Sequence, residues 1–137
     1  MATAPQFVTS PNMGTPASLT AANTALDGTG ATGRALIFTA GASGSSLPAI
    51  RFMHLGTNIA TLMRVFRNNG SDPEVAGNNA LIYEIEIAAN TTSSTAASIP
   101  YQLDCNLLLD NAERVYVTLA TAVAAGIKVT PMNGGDL

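Results

Sequence analysis

Short apolar segments separated by clusters of turn-forming residues recur along most of this chain. In the clearest of them, 81–87, Tyr83 and Ile85 alternate with Glu84 and Glu86, which is the period of a half-buried β-strand. Glycine, asparagine, serine and proline cluster between the segments, as they do in turns. The pattern predicts strands at 19–26, 34–40, 47–56, 60–67, 80–88, 99–109, 113–121 and 126–132.

The number and spacing of these strands limit the fold class. About 7–8 short strands joined by turns are typical of an antiparallel sandwich, jelly roll or barrel. The chain has 137 residues, the length of one domain. We therefore expect an all-β fold, an antiparallel, jelly-roll-like β-sandwich, over residues 19–137. Residues 1–18 hold three prolines and no periodicity, which predicts an extended N-terminal arm lying on its own domain or on a neighbour.

Charged side chains are scarce. They make up 11% of the residues, against roughly a quarter in ordinary soluble domains. A surface of Ala, Thr, Ser, Asn and Gly loses little when a neighbour covers it, which favours permanent packing against other subunits; a polar but uncharged monomer is the alternative. The six basic residues are spread singly, so no cationic stripe is available for a phosphate backbone. We expect no nucleic-acid partner.

Two predicted strands indicate where such a subunit contact would lie. Segments 49–55 and 61–67 carry large apolar side chains at consecutive positions, so both faces of the predicted sheet are apolar there. One small domain has one core, and the second face is expected to contact another subunit, with arginines among the contacts. The alternative is that loops of the same chain cover that face. The candidate subunit-interface residues are Arg51, Met53, Leu55, Met63, Val65 and Arg67.

Residues able to carry catalysis are few. His54 is the only histidine and Cys105 the only cysteine, whereas a zinc site needs three or four ligands. We expect His54 to be packed at a sheet edge and Cys105 to be a small buried hydrophobe. No nucleophile-elbow sequence is present. The sequence predicts that the protein is not an enzyme and has no cofactor and no metal.

Two further patterns match functional motifs, but we interpret neither as a functional site. Glu84 and Glu86 resemble a carboxylate pair, but adjacent positions on one strand face are more often a solvated face. Residues 28–33 match G-x-G-x-x-G, but a predicted strand follows them where a dinucleotide site requires a helix. The sequence has neither a recognisable secretory leader nor an apolar window of about 20 residues. We therefore expect no membrane partner and a protein that stays in the cytoplasm in which it is made.

Several stretches together carry a family resemblance: SLTAANTALDGTG at 18–30, ALIFTAGA at 35–42, IRFMHLGTN at 50–58, RVFRNNG at 64–70, and the closing AAGIKVTPMNGGDL at 124–137. The chain resembles a group of small proteins encoded among the head genes of tailed bacteriophages, which end in Gly-Gly-Asp followed by an aromatic residue. Here Leu137 takes the place of that aromatic residue. The resemblance carries no catalytic residues over.

What the resemblance implies is a structural protein of the virion. It would decorate and stabilise the capsid surface by binding between subunits of the major capsid protein, and the expected oligomer is a homotrimer, since such proteins commonly occupy threefold positions. A tail, connector or fibre-associated structural protein of the same particle is the alternative. A free module that binds a carbohydrate or small ligand is a third reading, weakened by the absence of tryptophan.

Overall fold

The computed structural model describes residues 7–137 and contains almost no helix. Twelve short strands and one 3₁₀ turn, Ala76–Asn78, are present in this part of the chain. The strands are β1 Ser10–Pro11, β2 Ala17–Leu19, β3 Arg34–Thr39, β4 Ser45–Leu47, β5 Ala49–His54, β6 Thr61–Asn68, β7 Asn79–Ile87, β8 Tyr101–Leu103, β9 Leu107–Leu109, β10 Arg114–Leu119, β11 Ile127–Met132 and β12 Gly135–Asp136. The all-β class expected from the sequence is confirmed.

The strands form three sheets of four strands each, and every pairing is antiparallel. The terminal sheet has the order β1-β12-β4-β9, the β5 sheet the order β2-β11-β5-β8, and the β6 sheet the order β3-β10-β6-β7. Neighbours in these orders are mostly distant in sequence, so each sheet joins separate parts of the chain. The arrangement therefore depends on non-local contacts throughout.

The inner faces of all three sheets share one hydrophobic core. Phe52 and Ile127 come from the β5 sheet, Met63 and Val117 from the β6 sheet, and Leu47 from the terminal sheet, and all five are fully buried. Along β11 the alternation is regular, with buried Ile127, Val129 and Pro131 separated by half-buried residues. This is the period-two pattern of a strand with one face on a core.

Two of the predicted strands are each divided in two. Segment 47–56 breaks at Pro48, and its halves, β4 and β5, belong to different sheets. Segment 99–109 becomes β8 and β9, separated by Asp104–Asn106, where Asn106 has a left-handed φ of 46°. Cys105 lies in that connection rather than on the single strand predicted for 99–109. A continuous apolar pattern cannot reveal where the chain leaves one sheet for another.

The first predicted strand, 19–26, is wrong in its extent. Only Leu19 belongs to a strand, and residues 23–33 form a loop organised by one buried side chain. The Asn23 amide group donates to the carbonyl oxygens of Thr29, Gly30 and Thr32 at 3.1, 2.8 and 3.0 Å. The loop is the segment that matched G-x-G-x-x-G, and β3 follows it directly.

The described part of the predicted arm, residues 7–18, lies along its own domain, and residues 1–6 lie outside the described residues. β1 pairs with β12, and β2, which crosses the expected boundary at residue 18, pairs with β11. Between them Gly14 has a φ of +60°, and a Cβ there would collide with the carbonyl oxygen of Ile37. Thr15 N–H donates to that same oxygen at 2.8 Å. Only glycine permits this close approach to β3.

Around Phe66 and Tyr116, loops of the same chain cover the outer face of the β6 sheet, whereas Leu36 on β3 and the glutamates of β7 remain exposed. Loop 69–78 joins β6 to β7 at one end of the sheet, yet its Glu74 carboxylate reaches Arg34, on the far edge strand β3, at 2.7 Å. On this route the loop crosses the row in which Tyr116 and Phe66 are paired. Phe66 is fully buried and Tyr116 is 8% exposed, although neither belongs to the main core. Around these two residues, the structure agrees with the alternative of cover by the chain's own loops.

Candidate interaction surface

The outer face of the β5 sheet carries three of the six candidate interface residues. Arg51 and Met53 alternate with the buried residues Phe52 and His54 along β5, and Leu55 follows directly. Arg51 is exposed, Met53 is half-buried and Leu55 is 53% exposed. We call this surface, with the facing residues of the neighbouring strands, the β5 face; its members are Ser18, Arg51, Met53, Leu55, Gln102, Lys128 and Thr130.

The β5 face is apolar at one end and cationic along its length. Lys128 pairs in register with Met53 and donates to the Ser18 hydroxyl at 3.3 Å, while Arg51 donates to the Gln102 side-chain oxygen at 2.9 Å. Neither cation has a carboxylate within 4.0 Å among residues 7–137. The two cations are therefore held by neutral groups, and both remain available to an acidic partner.

The other three candidates lie elsewhere. Met63 and Val65 have no exposed surface and belong to the hydrophobic core, because β6 turns these two side chains inward and Leu62 and Arg64 outward. Placing them on a subunit surface is therefore corrected. Arg67 is bound to Glu113 through Nε, at 3.2 and 3.1 Å from the two carboxylate oxygens, beside the terminal sheet. The structure does not bring Arg67 to the β5 face.

His54 and Cys105 are both packed in the protein interior. The His54 Nε2 atom lies 3.1 Å from the Ala88 carbonyl oxygen, and Nδ1 lies 3.1 Å from the Asn58 amide nitrogen. Because the amide donates, Nδ1 accepts and the proton of the neutral ring is on Nε2. Cys105 is buried, its Sγ lies 3.3 Å from the Leu47 carbonyl oxygen, and burial raises the pKa of its thiol. A raised pKa makes the thiolate scarce and the sulfur unreactive.

A polar cluster that the sequence analysis did not identify fastens the two chain ends together. The Asp136 carboxylate accepts hydrogen bonds from the Ser45 hydroxyl and, at 2.8 Å, from the Asn12 amide. These two donors, Ser45 first, hold the pKa of Asp136 below its usual value. We call Asn12, Ser45 and Asp136 the terminal clasp.

The glycines before Asp136 explain how the clasp closes. A Cβ at Gly134 would collide with the Asn12 carbonyl oxygen, and a Cβ at Gly135 with the Val8 side chain. The bare backbone lets β1 lie close beside β12, where Asn12 N–H donates to the Gly134 carbonyl at 2.9 Å. The Gly-Gly-Asp ending is the one sequence signal that could have pointed to this site.

Three surface depressions among the described residues have volumes of 190, 260 and 250 Å³. Small-molecule sites are commonly about 300–1,000 Å³, so these three are smaller than such sites. Across residues 7–137 no three His, Cys, Asp or Glu side chains are grouped as metal ligands would be. Within the same residues, no helix is long and apolar enough to span a bilayer.

Comparisons with known proteins give no assignment: no protein-family model, no curated protein and no solved structure matches this chain.

Proposed function

We propose that this chain is a structural protein of a tailed-phage virion, not an enzyme, which binds between major capsid protein subunits at the capsid surface and stabilises the shell. The observation that carries the proposal is the β5 face. Its apolar Met53 and Leu55 lie beside Arg51 and Lys128, two cations without a carboxylate partner in residues 7–137, in a chain where only 11% of residues are charged. A surface of this kind is suited to permanent cover by another subunit.

The finer fold and the oligomer belong to the same proposal. Three sheets around one core are compatible with a jelly-roll-like sandwich. A homotrimer would match the threefold positions of a capsid lattice and place three β5 faces on the shell at once. The effective concentration of linked sites then allows a weak single contact to give stable decoration. The terminal clasp supports this use, because it ties Asn12 and β4 to β12 and so stabilises the shape of the subunit.

A substitution on the β5 face tests the proposal. We expect Met53→Glu to fold normally and to bind undecorated particles at least tenfold more weakly than the wild type, because it places a carboxylate in the contact. Ile99→Glu is the matched control, since Ile99 is 67% exposed and lies outside the β5 face. Co-sedimentation with purified particles measures binding, and circular dichroism checks the fold. Binding of Met53→Glu at the level of Ile99→Glu would refute this role for the β5 face.

The alternative is a tail, connector or fibre-associated protein of the same particle, which the same neutral surface would also serve. Quantitative mass spectrometry of purified virions separates the two. A copy number near that of the major capsid protein supports decoration, and a few tens of copies or fewer support the alternative. Absence from virions that carry the gene would contradict both.

A further inference from the structure

The edges of the three sheets are not equally protected. In the terminal sheet and the β5 sheet the edge strands are only two or three residues long. In the β6 sheet, edge strand β3 has Gly14 and Thr15 against it, with Thr15 bonded to the Ile37 carbonyl. β7 is nine residues long and, among residues 7–137, pairs on one side only, with β6. Short or covered edges are how proteins prevent unwanted strand pairing, and β7 is neither.

The free side of β7 is open in two respects. Every second residue of an edge strand directs its N–H and C=O away from the sheet, and from Ala80 to Ile87 these groups have no hydrogen-bond partner among the other described residues beyond β6. In addition, Tyr83 and Ile85 point toward the core but stay half-buried, while Val65 and Met63, their partners on β6, are fully buried. One more strand would satisfy the backbone and complete this burial.

The acidic side chains on the outer face of β7 favour a basic partner strand. Glu84 and Glu86 both lie on it and are exposed. Glu84 is bound by Arg64 at 2.8 Å, whereas Glu86 is opposite Leu62 and has no cation within 4.0 Å in residues 7–137. A lysine or arginine beside Glu86 on an added strand would form the cross-strand ion pair that the sheet lacks.

The same charges disfavour a second copy of β7 as the added strand. Pairing between β7 and Val65–Phe66 is irregular, so the regular part of the strand is Tyr83–Ile87. In an antiparallel pair of strands, facing residues lie on the same face of the sheet. Every register that pairs three or more residues of this segment therefore places a glutamate opposite a glutamate. The facing pair is Glu84 with Glu84, Glu84 with Glu86, or Glu86 with Glu86. Like charges directly opposite destabilise a sheet.

We infer that the free edge of β7 is a docking site for an extended segment of another protein, one that alternates basic and apolar residues. The segment adds as a fifth strand of the β6 sheet, with its basic side chains beside Glu84 and Glu86 and its apolar side chains beside Tyr83 and Ile85. Backbone hydrogen bonds supply affinity and the alternating side chains supply specificity. The inference does not depend on the proposed virion role, because the site is separate from the β5 face.

Fluorescein-labelled peptides test this on the full chain by anisotropy. The probe is Thr-Lys-Val-Lys-Val-Lys-Thr, and the matched control has Glu at the three Lys positions. We expect the Lys peptide to bind about tenfold more tightly than the Glu peptide, since each facing pair changes from repulsion to attraction. Glu86→Lys should reverse or abolish this preference, while Asp110→Asn, at an exposed position before β10, should leave it unchanged. Equal binding of the two peptides, or no binding by either, overturns the inference.

Backbone pairing is tested separately from charge. Two versions of the Lys peptide carry N-methyl groups on alternate residues, one on the Lys positions and one on the Val positions. Only one set of amides can face β7, so one version should lose binding and the other should retain it. Hydrogen exchange should show the outward amides of Ala80–Ile87 exchanging fast in the free protein and slowly with peptide. Retention of binding by both versions, or outward amides already protected in the free protein, overturns strand addition.

Discussion

Phe66 lies on the solvent side of the β6 sheet and yet has no exposed surface. Because loops 23–33 and 69–78 cover this side chain, truncation of Phe66 should be as costly as truncation in the main core. A buried phenylalanine removes ~150–250 Å² from water, which at ~25 cal/mol per Å² gives about 4–6 kcal/mol as an upper bound. Measured Phe→Ala substitutions in cores cost about 3–5 kcal/mol. We expect about 3–5 kcal/mol for Phe66→Ala.

The two loops over Phe66 are held in place by contacts with each other and with the β6 sheet. Glu74 pairs with Arg34 at 2.7 Å and accepts from Gly30 N–H at 3.1 Å. The Asn79 amide donates to the carbonyl oxygens of Asp27 and Pro73 at 3.0 and 2.7 Å, which joins the two loops. Arg34 in turn lies over the Tyr116 ring, 5.3 Å from its centre. The cover is thus fixed by hydrogen bonds, an ion pair and a cation–π contact.

Urea unfolding followed by circular dichroism measures the prediction, with two reference variants. Phe52→Ala, in the main core, should lose a similar amount of unfolding free energy, because Phe52 is equally buried. Leu36→Ala, on the same outer face but 41% exposed, should lose only about 1 kcal/mol. If Phe66→Ala costs no more than Leu36→Ala, the outer face is open in solution and the argument for its cover is wrong.

Two further substitutions probe the polar contacts. Asp136 has a folded-state pKa below its unfolded value, so its stabilisation is present above an ordinary aspartate pKa of about 3.9 and is lost as the pH falls through the folded value. Melting temperatures between pH 6 and 2 should therefore fall less steeply for Asp136→Asn than for the wild type, and parallel curves would contradict a role for the clasp. Asn58, 3% exposed, donates to the Gly126 carbonyl at 2.8 Å and accepts from Ala125 N–H at 2.8 Å. Asn58→Ala leaves both groups unpaired, and we expect a loss of about 2–4 kcal/mol in urea unfolding; a loss below about 1 kcal/mol would show that water replaces the side chain.

Local alternation was sufficient to predict the fold class and the longer strands. β6 and β7 lie within a residue or two of the predicted strands 60–67 and 80–88. They could be predicted because a strand with one face on a core alternates apolar and polar residues with a period of two. The two-residue strands β1 and β12 are too short to show such a pattern. Their pairing depends on Gly134 and Gly135 admitting the N-terminal segment, a contact across more than a hundred residues.

The candidate interface was only partly predictable for a related reason. Consecutive apolar residues showed correctly that β5 and β6 are apolar on both sides. They could not show which side faces the core, and Met63 and Val65 were assigned to the wrong one. Nor could they show that distant loops cover Phe66, since that cover depends on Glu74 and Asn79 meeting partners far away in sequence.

Unpaired positive and negative side chains lie on different surfaces of this molecule, and this separation affects both proposals. Arg34, Arg64 and Arg67 are each bound to a glutamate, which neutralises most of the β6 sheet and its surroundings. Of the remaining cations, Arg51 and Lys128 lie together on the β5 face, whereas the exposed carboxylate of Glu86 lies on β7. A partner that fits one surface is therefore repelled by the other. An acidic partner should bind the β5 face, a basic strand should bind β7, and raising the salt concentration should weaken both contacts because both are exposed.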